Sequence, residues 1–188
     1  MARKKEFNSM NKIKVLGIAG VFLAGTASVA KADPTQFTGF QIGALLGMSG
    51  LHMKNTMTTN EYFSNNGGSV GFYLGYGMVF SGVFVGVDGN YTLPFVKEDD
   101  LKYKSSADIA LRLGMDINKV ALPYIRLGYA MNKVESTNYS GFTYGLGIDT
   151  KLAPQMVLGL EAMQTVDSEK AGLKFHFSTV RVKLAFHL

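Results

Sequence analysis

Val180-Arg181-Val182-Lys183-Leu184-Ala185-Phe186-His187-Leu188 ends the chain, with apolar side chains at every even position and Arg181, Lys183 and His187 at odd ones. Side chains of a β-strand point alternately to two faces, so this segment has one wholly apolar face and one largely cationic face. A strand of this kind belongs where one side meets hydrocarbon and the other a polar interior, as in a closed barrel that crosses a membrane. The same alternation recurs along the rest of the chain.

The N-terminus has a different pattern. Arg3, Lys4, Lys5, Lys12 and Lys14 are basic, Val15 to Gly25 is a short apolar run, and Ala30-Lys31-Ala32 is a small-x-small cleavage site before Asp33. That is the layout of a secretory signal peptide. The apolar run is far short of the ~20 residues a spanning helix needs. Residues 1–32 are therefore read as an export signal and residues 33–188 as one barrel domain; Met10 is an alternative start, since 10–32 is a complete signal by itself.

Charge follows from this division. The full chain has 19 Lys+Arg against 14 Asp+Glu, a formal charge of +5. Six basic residues and one acidic residue (Glu6) fall in 1–32, which leaves 13 of each beyond it. Nucleic-acid binding thereby loses its compositional support. The chain has no cysteine, hence neither disulfides nor a lipoprotein's anchoring thiol. A closed, fully hydrogen-bonded barrel would supply stability in their place.

Beyond residue 35 the pattern gives eight strands and no helix, an all-β, eight-stranded antiparallel up-and-down transmembrane barrel. Strand one (37–49) sets Phe40, Ile42, Ala44, Leu46 and Met48 against Gly39, Gln41, Gly43 and Gly47. Strands two (68–80) and three (from 83) turn Val70, Phe72, Leu74, Val85 and Val87 outward, and Tyr73, Phe84, Asp88 and Asn90 inward. Strands four (105–116), five (122–133), six (141–152) and seven (156–165) continue with Leu111, Leu127, Leu146 and Leu158 outward. Strand eight is 173–188; Phe175 and Phe177 break its parity, which predicts a bulge. Connections alternate between short (81–82, 117–121, 153–155) and longer (50–67, 94–104, 134–140, 166–172), as short turns on one side and surface loops on the other require. Glycines inside the runs, such as Gly75, Gly86 and Gly147, fall on the inward face and leave space for Tyr73, Phe84, Tyr124 and Arg126.

Pro123-Tyr124-Ile125-Arg126-Leu127-Gly128-Tyr129, Gly141-Phe142-Thr143-Tyr144-Gly145-Leu146-Gly147, Leu158-Gly159-Leu160-Glu161 and the terminal strand together resemble the small outer-membrane β-barrel superfamily, the OmpA-like and OmpX-like porin-family domains of Gram-negative bacteria. The resemblance covers 37–188 and implies the outer membrane as location. It further implies membrane lipid as partner, the barrel-assembly machinery during insertion, and a monomer. Members usually end in an aromatic residue, whereas this chain ends in Leu188 with Phe186 two before it.

Charges predicted to face the lumen are Asp88, Asp108, Arg112, Asp116, Arg126, Asp149, Lys151, Glu161, Arg181 and Lys183. Buried charges demand partners. Asp88, Arg112, Arg126, Glu161 and Arg181 are expected to form a lumenal structural network, with Glu161 in reach of Arg126 or Arg181. The competing reading is a narrow pore. His176-Phe177-Ser178 resembles the His-x-Ser of outer-membrane lipid A deacylases, but no Asp or Glu follows Glu169 to orient the histidine, and a triad needs three roles. His52, His176 and His187 lack metal-ligand spacing, and Gly145-Leu146-Gly147 has no helix after it to hold a phosphate. No catalytic residue, metal site or cofactor is assigned. Glu98-Asp99-Asp100, flanked by Lys97, Lys102 and Lys104, reads as a solvated loop tip, and loop one is apolar (Leu51, Met53, Met57, Tyr62, Phe63). Apolar surface of that kind marks a partner-binding site or a packed cover over the barrel mouth.

The reading is a non-enzymatic barrel that presents four surface loops, with a structural or adhesin-like role toward an envelope or host partner and a side-chain-plugged lumen. A lipid-modifying enzyme is the alternative. A soluble lipocalin-like barrel is disfavoured by the outward leucines. Heat-modifiable migration on gels is expected for the folded protein, and recovery from the soluble periplasm without detergent would refute membrane insertion.

Overall fold

The computed structural model describes residues 37–55, 61–98, 101–167 and 173–188. Its strands are β1 (Gly39–Asn55), β2 (Glu61–Phe80), β3 (Val83–Pro94), β4 (Val96–Glu98), β5 (Leu101–Met115), β6 (Ala121–Val134), β7 (Thr137–Ala153), β8 (Met156–Asp167) and β9 (Leu173–His187). All pairings are antiparallel, and β1 pairs with β9 while β3 pairs with β5, so the sheet closes on itself. The short β4 continues the line of β3 after a break at Phe95 and pairs with the outer end of β5. The result is an eight-stave, all-antiparallel up-and-down barrel.

Closure is staggered. Stepping through paired residues from Gly50 to Ser178, Gln164, Tyr144, Leu127, Leu111, Val87 and Tyr76 returns to β1 at Phe40, ten residues from the start. A stagger of that size in eight staves tilts them by about 40° from the barrel axis.

Alternation sorts the side chains as the pleat requires. Along β3, Phe84, Gly86, Asp88, Asn90 and Thr92 are buried while Val83, Val85, Val87 and Tyr91 are exposed. The outer surface is an apolar belt in which Phe72, Leu111 and Leu146 are 71%, 64% and 65% exposed. Aromatic rings edge this belt. Phe40, Phe80 and Phe186 lie toward the end where the barrel begins and ends, and Phe72, Tyr91, Tyr129 and Phe142 toward the other. Phe40 leans on Tyr76 with ring centroids 4.8 Å apart.

Turn chemistry sets the hairpins. Ser81 and Gly82 both have positive φ, 50° and 83°, the handedness that a two-residue hairpin needs to match strand twist. Asn118 and Lys119, in the three-residue turn between the bridged Ile117 and Ala121, also have positive φ, 52° and 61°.

Several elements differ from expectation. The connection expected over 134–140 is a two-residue turn at Glu135-Ser136, with Val134 paired to Thr137 and Glu135 at a φ of 53°. β1 and β2 run further than expected, to Asn55 and from Glu61, because their ladder continues past the apolar belt. No bulge interrupts β9: its registers with β1 and β8 are continuous. Phe177 is simply an inward side chain, buried against Tyr103 at 4.9 Å between centroids. The shifts occur instead at Met53/Lys54, Tyr103/Ser105 and Lys151/Ala153. Phe37 precedes β1 rather than opening it, and turns into the barrel mouth. Residues 1–32, read above as an export signal, the side chains of the apolar loop one and those of Glu98-Asp99-Asp100 lie outside what is described.

Leu111→Arg, on the exposed belt, is expected to destabilise the barrel by about 2–4 kcal/mol in a folding titration if it sits near the bilayer midplane. Ser106→Arg, on the lumenal face beside Asn132, should depend instead on space and pairing. Equal tolerance at both positions would contradict the assigned faces.

Candidate functional site

The interior is organised by charge. Arg112, from β5, is 1% exposed and reaches Asp88 of β3 (Nε to Oδ2, 2.9 Å) and Asp149 of β7 (Nη1 to Oδ2, 3.0 Å). Its Nη2 donates to the Tyr73 hydroxyl. The rings of Tyr73, Phe84 and Tyr124 surround the guanidinium, with centroids 5.5, 5.1 and 5.1 Å from Cζ. Arg126, from β6, contacts Asp88 at 2.6 Å, Asp108, and Glu161 at 3.7 Å. Arg181, from β9, contacts Glu161 at 2.5 Å and Asp108 at 3.8 Å. The Lys183 ammonium lies 2.7 Å from Asp149.

Each of the four carboxylates thus bridges two cations, giving a continuous line Lys183–Asp149–Arg112–Asp88–Arg126 that ends in a ring of Arg126, Asp108, Arg181 and Glu161. Neutral groups complete it. Asn90 donates to Asp88 and Asp108 at 3.0 and 2.9 Å, and Tyr124 donates to Glu161 at 3.1 Å. Tyr73 donates to Gln41 at 3.0 Å. Taking these charges out of water costs several kcal/mol per ion, and such contacts offset that cost only when the geometry is nearly complete.

Local sequence makes room for the large groups. A Cβ on Gly147 would meet the Tyr124 ring at 2.5 Å, and one on Gly86 would meet Phe84 at 2.7 Å. Glycine beside the big inward side chain lets that chain lie across the lumen.

Both ends of the network are covered. At the end near the termini, Phe37 packs with Phe84, Leu122, Tyr124 and Val157, and the Lys151 ammonium sits 4.7 Å from the Phe37 ring centroid. At the other end Tyr103 meets Phe177 and donates to Asn132 at 2.7 Å.

Of the residues singled out from sequence, Asp88, Arg112, Arg126, Glu161 and Arg181 come together here, along with Asp108, Asp149 and Lys183. Asp116 does not. It lies in the β5–β6 turn, where its Oδ1 accepts from the Lys119 amide at 2.9 Å, because the alternation has ended by that point. Phe37 and Tyr103 were not anticipated. Phe37 lies outside the alternating run, and Tyr103 turns inward only because the β5 register shifts at Lys104. His176 and Ser178 share the opposite parity to the inward Phe177. Their register partners are Val166 and His52, and Gln164 and Gly50, none of them an acid.

Residues 19–186 match the family described as outer membrane protein beta-barrel domain. Neisserial surface protein A is similar over 80% of this chain and 98% of its own, at 13% identity and a TM-score of 0.56. Ail, the attachment invasion locus protein of Yersinia pestis, is similar over 79% of this chain and 100% of its own, at 14% identity and a TM-score of 0.48. At these identities the likeness concerns the fold alone. No curated protein sequence matches the chain.

Removing one partner from the buried ring should be far more damaging than breaking a surface pair. Glu161→Ala is expected to lower stability by about 3–5 kcal/mol. Lys104→Ala, which removes the exposed 3.8 Å pair with Glu135, should change it by about 0–1 kcal/mol. Comparable unfolding midpoints for both variants would refute the difference.

Proposed function

Because the chain belongs to the outer-membrane protein β-barrel family and resides in the bacterial outer membrane, we propose that it is a non-enzymatic, monomeric barrel whose task lies in its surface hairpins rather than its lumen. Residues 1–32 serve as the export signal, and the barrel-assembly machinery inserts the exported chain into the membrane. The hairpins opposite the termini then face outward and contact an envelope or host partner.

The observation that carries this reading is the line from Lys183 to Arg126, which crosses the lumen on buried side chains of β9, β7, β5, β3 and β6. A solute passing through would have to separate ion pairs whose side chains are almost wholly buried, at the cost of leaving buried charges unpaired. The role of Asp88, Arg112, Arg126, Glu161 and Arg181 is therefore to brace the barrel. On the enzymatic side, the register positions paired with His176 and Ser178 are Val166, His52, Gln164 and Gly50, none of them an acid of the kind a triad uses to orient its histidine. The lipid-facing belt anchors the barrel, and the hairpin tips are left to recognise.

The test has two arms. Purified protein reconstituted in planar bilayers is expected to leave conductance near baseline, and robust single-channel currents would replace the plug by a pore. Cells displaying the barrel are expected to bind host cells or matrix in a way that deletion of individual hairpin tips abolishes. Binding unaffected by every deletion would refute the surface role.

A further inference from the structure

Two of the chain's three histidines meet across the seam that closes the barrel. His52 of β1 and His176 of β9 are direct register partners, although their spacing along the chain carries no metal-ligand pattern. Both have the parity of the outward residues on their strands. Phe40, Ile42, Leu46 and Met48 are exposed on β1, and Leu184 and Phe186 on β9. The β1–β2 register shifts only past His52, at Met53/Lys54, and His176 is half-buried. The same row of the ladder continues from His176 to Val166 of β8 and Phe142 of β7. Phe142 belongs to the outer aromatic border, and the stagger of the staves raises the row by roughly 3 Å per strand from β7 toward β1. His176 and His52 therefore stand beyond that border, about 6 and 9 Å further out, in reach of ions from the medium.

Residues directly opposite each other on one face of an antiparallel pair hold their Cβ atoms about 4.5–5.5 Å apart. Two imidazole nitrogens bound to one tetrahedral ion at about 2.0–2.1 Å lie about 3.4 Å from each other. Side chains that start at the first spacing can converge to the second. Imidazole binds metal in its neutral form, which prevails near neutral pH for a histidine of ordinary pKa, about 6.5. The neighbouring register positions narrow the class of ion. Further out, Lys54 pairs with Lys174 across the seam, and Lys54 also stands opposite Glu61 of β2. Ser64 of β2 is the other partner of His52. No group of three or more His, Cys, Asp or Glu forms among the described residues. A hard cation such as calcium or magnesium needs several oxygen ligands, and here one carboxylate position lies beside two lysine positions. An ion that bonds to imidazole nitrogen is held by coordination instead.

We infer that His52 and His176 form a two-histidine site for a divalent transition-metal ion (zinc, copper or nickel) on the outer surface of the seam, with water completing the coordination. The bound ion ties β1 to β9 where the last rungs of the seam, from His52 to Asn55, run past the apolar belt. A ligand that binds the folded barrel and not the unfolded chain stabilises it, so metal binding and closure are linked. This goes beyond the proposed surface role and needs none of the hairpin tips.

The protein, purified from outer membranes in detergent without a histidine tag, is titrated with zinc against a chromophoric chelator. Each variant is first checked for folding by heat-modifiable migration. Wild type should bind one zinc per barrel. His52→Ala and His176→Ala should each weaken binding by about 10–100-fold or more, since even an outer partner of a metal ligand is worth that much. His187→Ala, at the opposite end of the seam beside Gln41, should bind as wild type does. Copper should displace the zinc, and calcium and magnesium should not. Zinc should also raise the temperature at which the folded band is lost, in wild type and His187→Ala but in neither of the other two. Absence of saturable binding by folded wild type, or wild-type affinity after either His52→Ala or His176→Ala, would overturn the site. Displacement by calcium would overturn imidazole coordination. Binding with no shift in that temperature would overturn the tie across the seam.

Discussion

Everything in this barrel depends on the pairing of β1 with β9. That seam joins the beginning of the strand array to its end, from Gln41 with His187 to Asn55 with Leu173, in one continuous register. Closure leaves no sheet edge, so no backbone donor or acceptor on the outer face has to find a partner in hydrocarbon. The stagger at closure decides how wide the interior is and which residues meet across it. Glu161 faces Arg181 directly because β8 and β9 pair at that step, and a slip of one strand by one residue would turn its charge to the lipid and leave the other unpaired.

Within that frame the two faces of the wall answer to different demands. The outer face needs only to be apolar, and it is built from interchangeable Val, Leu, Ile and Met with rings at the borders. The inner face must compensate every charge it carries. It does so by giving each carboxylate two cations and by setting aromatic rings around Arg112, whose positive charge faces their π-clouds. Glycines opposite Tyr124 and Phe84 are the counterpart of these large groups.

Much of this was legible in the order of residues. Alternation over segments such as 83–93 and 180–188 assigns faces, and once faces are assigned the inward charges must pair, so Glu161 with Arg126 or Arg181 could be named without coordinates. What escaped was wherever the period changes. Tyr103 has the parity of an outward residue relative to Arg112, and only the shift at Lys104 reverses it. Phe175 and Phe177 suggest a bulge because they have the parity of Arg181 and Lys183 rather than of Val180 and Val182, yet Phe177 is an inward residue that Tyr103 meets. Asp116 has the inward parity of Arg112 but lies past the last ladder pair. Phe37 belongs to no strand, so periodicity says nothing of it. Connection lengths were also misjudged at 134–140, where Asn138 and Tyr139 read as loop residues although they extend the β6–β7 ladder.

The seam between β1 and β9 also bears on how the chain reaches this state. Gln41 and His187 are 146 residues apart, and no local contact can substitute for their meeting. Folding dominated by such distant pairings is intrinsically slow. Until β9 is in place, β1 and β8 are both open edges, each a template for another strand of the same kind. The hairpins can form early and in any order, but the barrel exists only once the fifteen residues of β9 have found the first strand. A chain shortened by that one segment would keep most of its contacts and still be left as an open, sticky sheet.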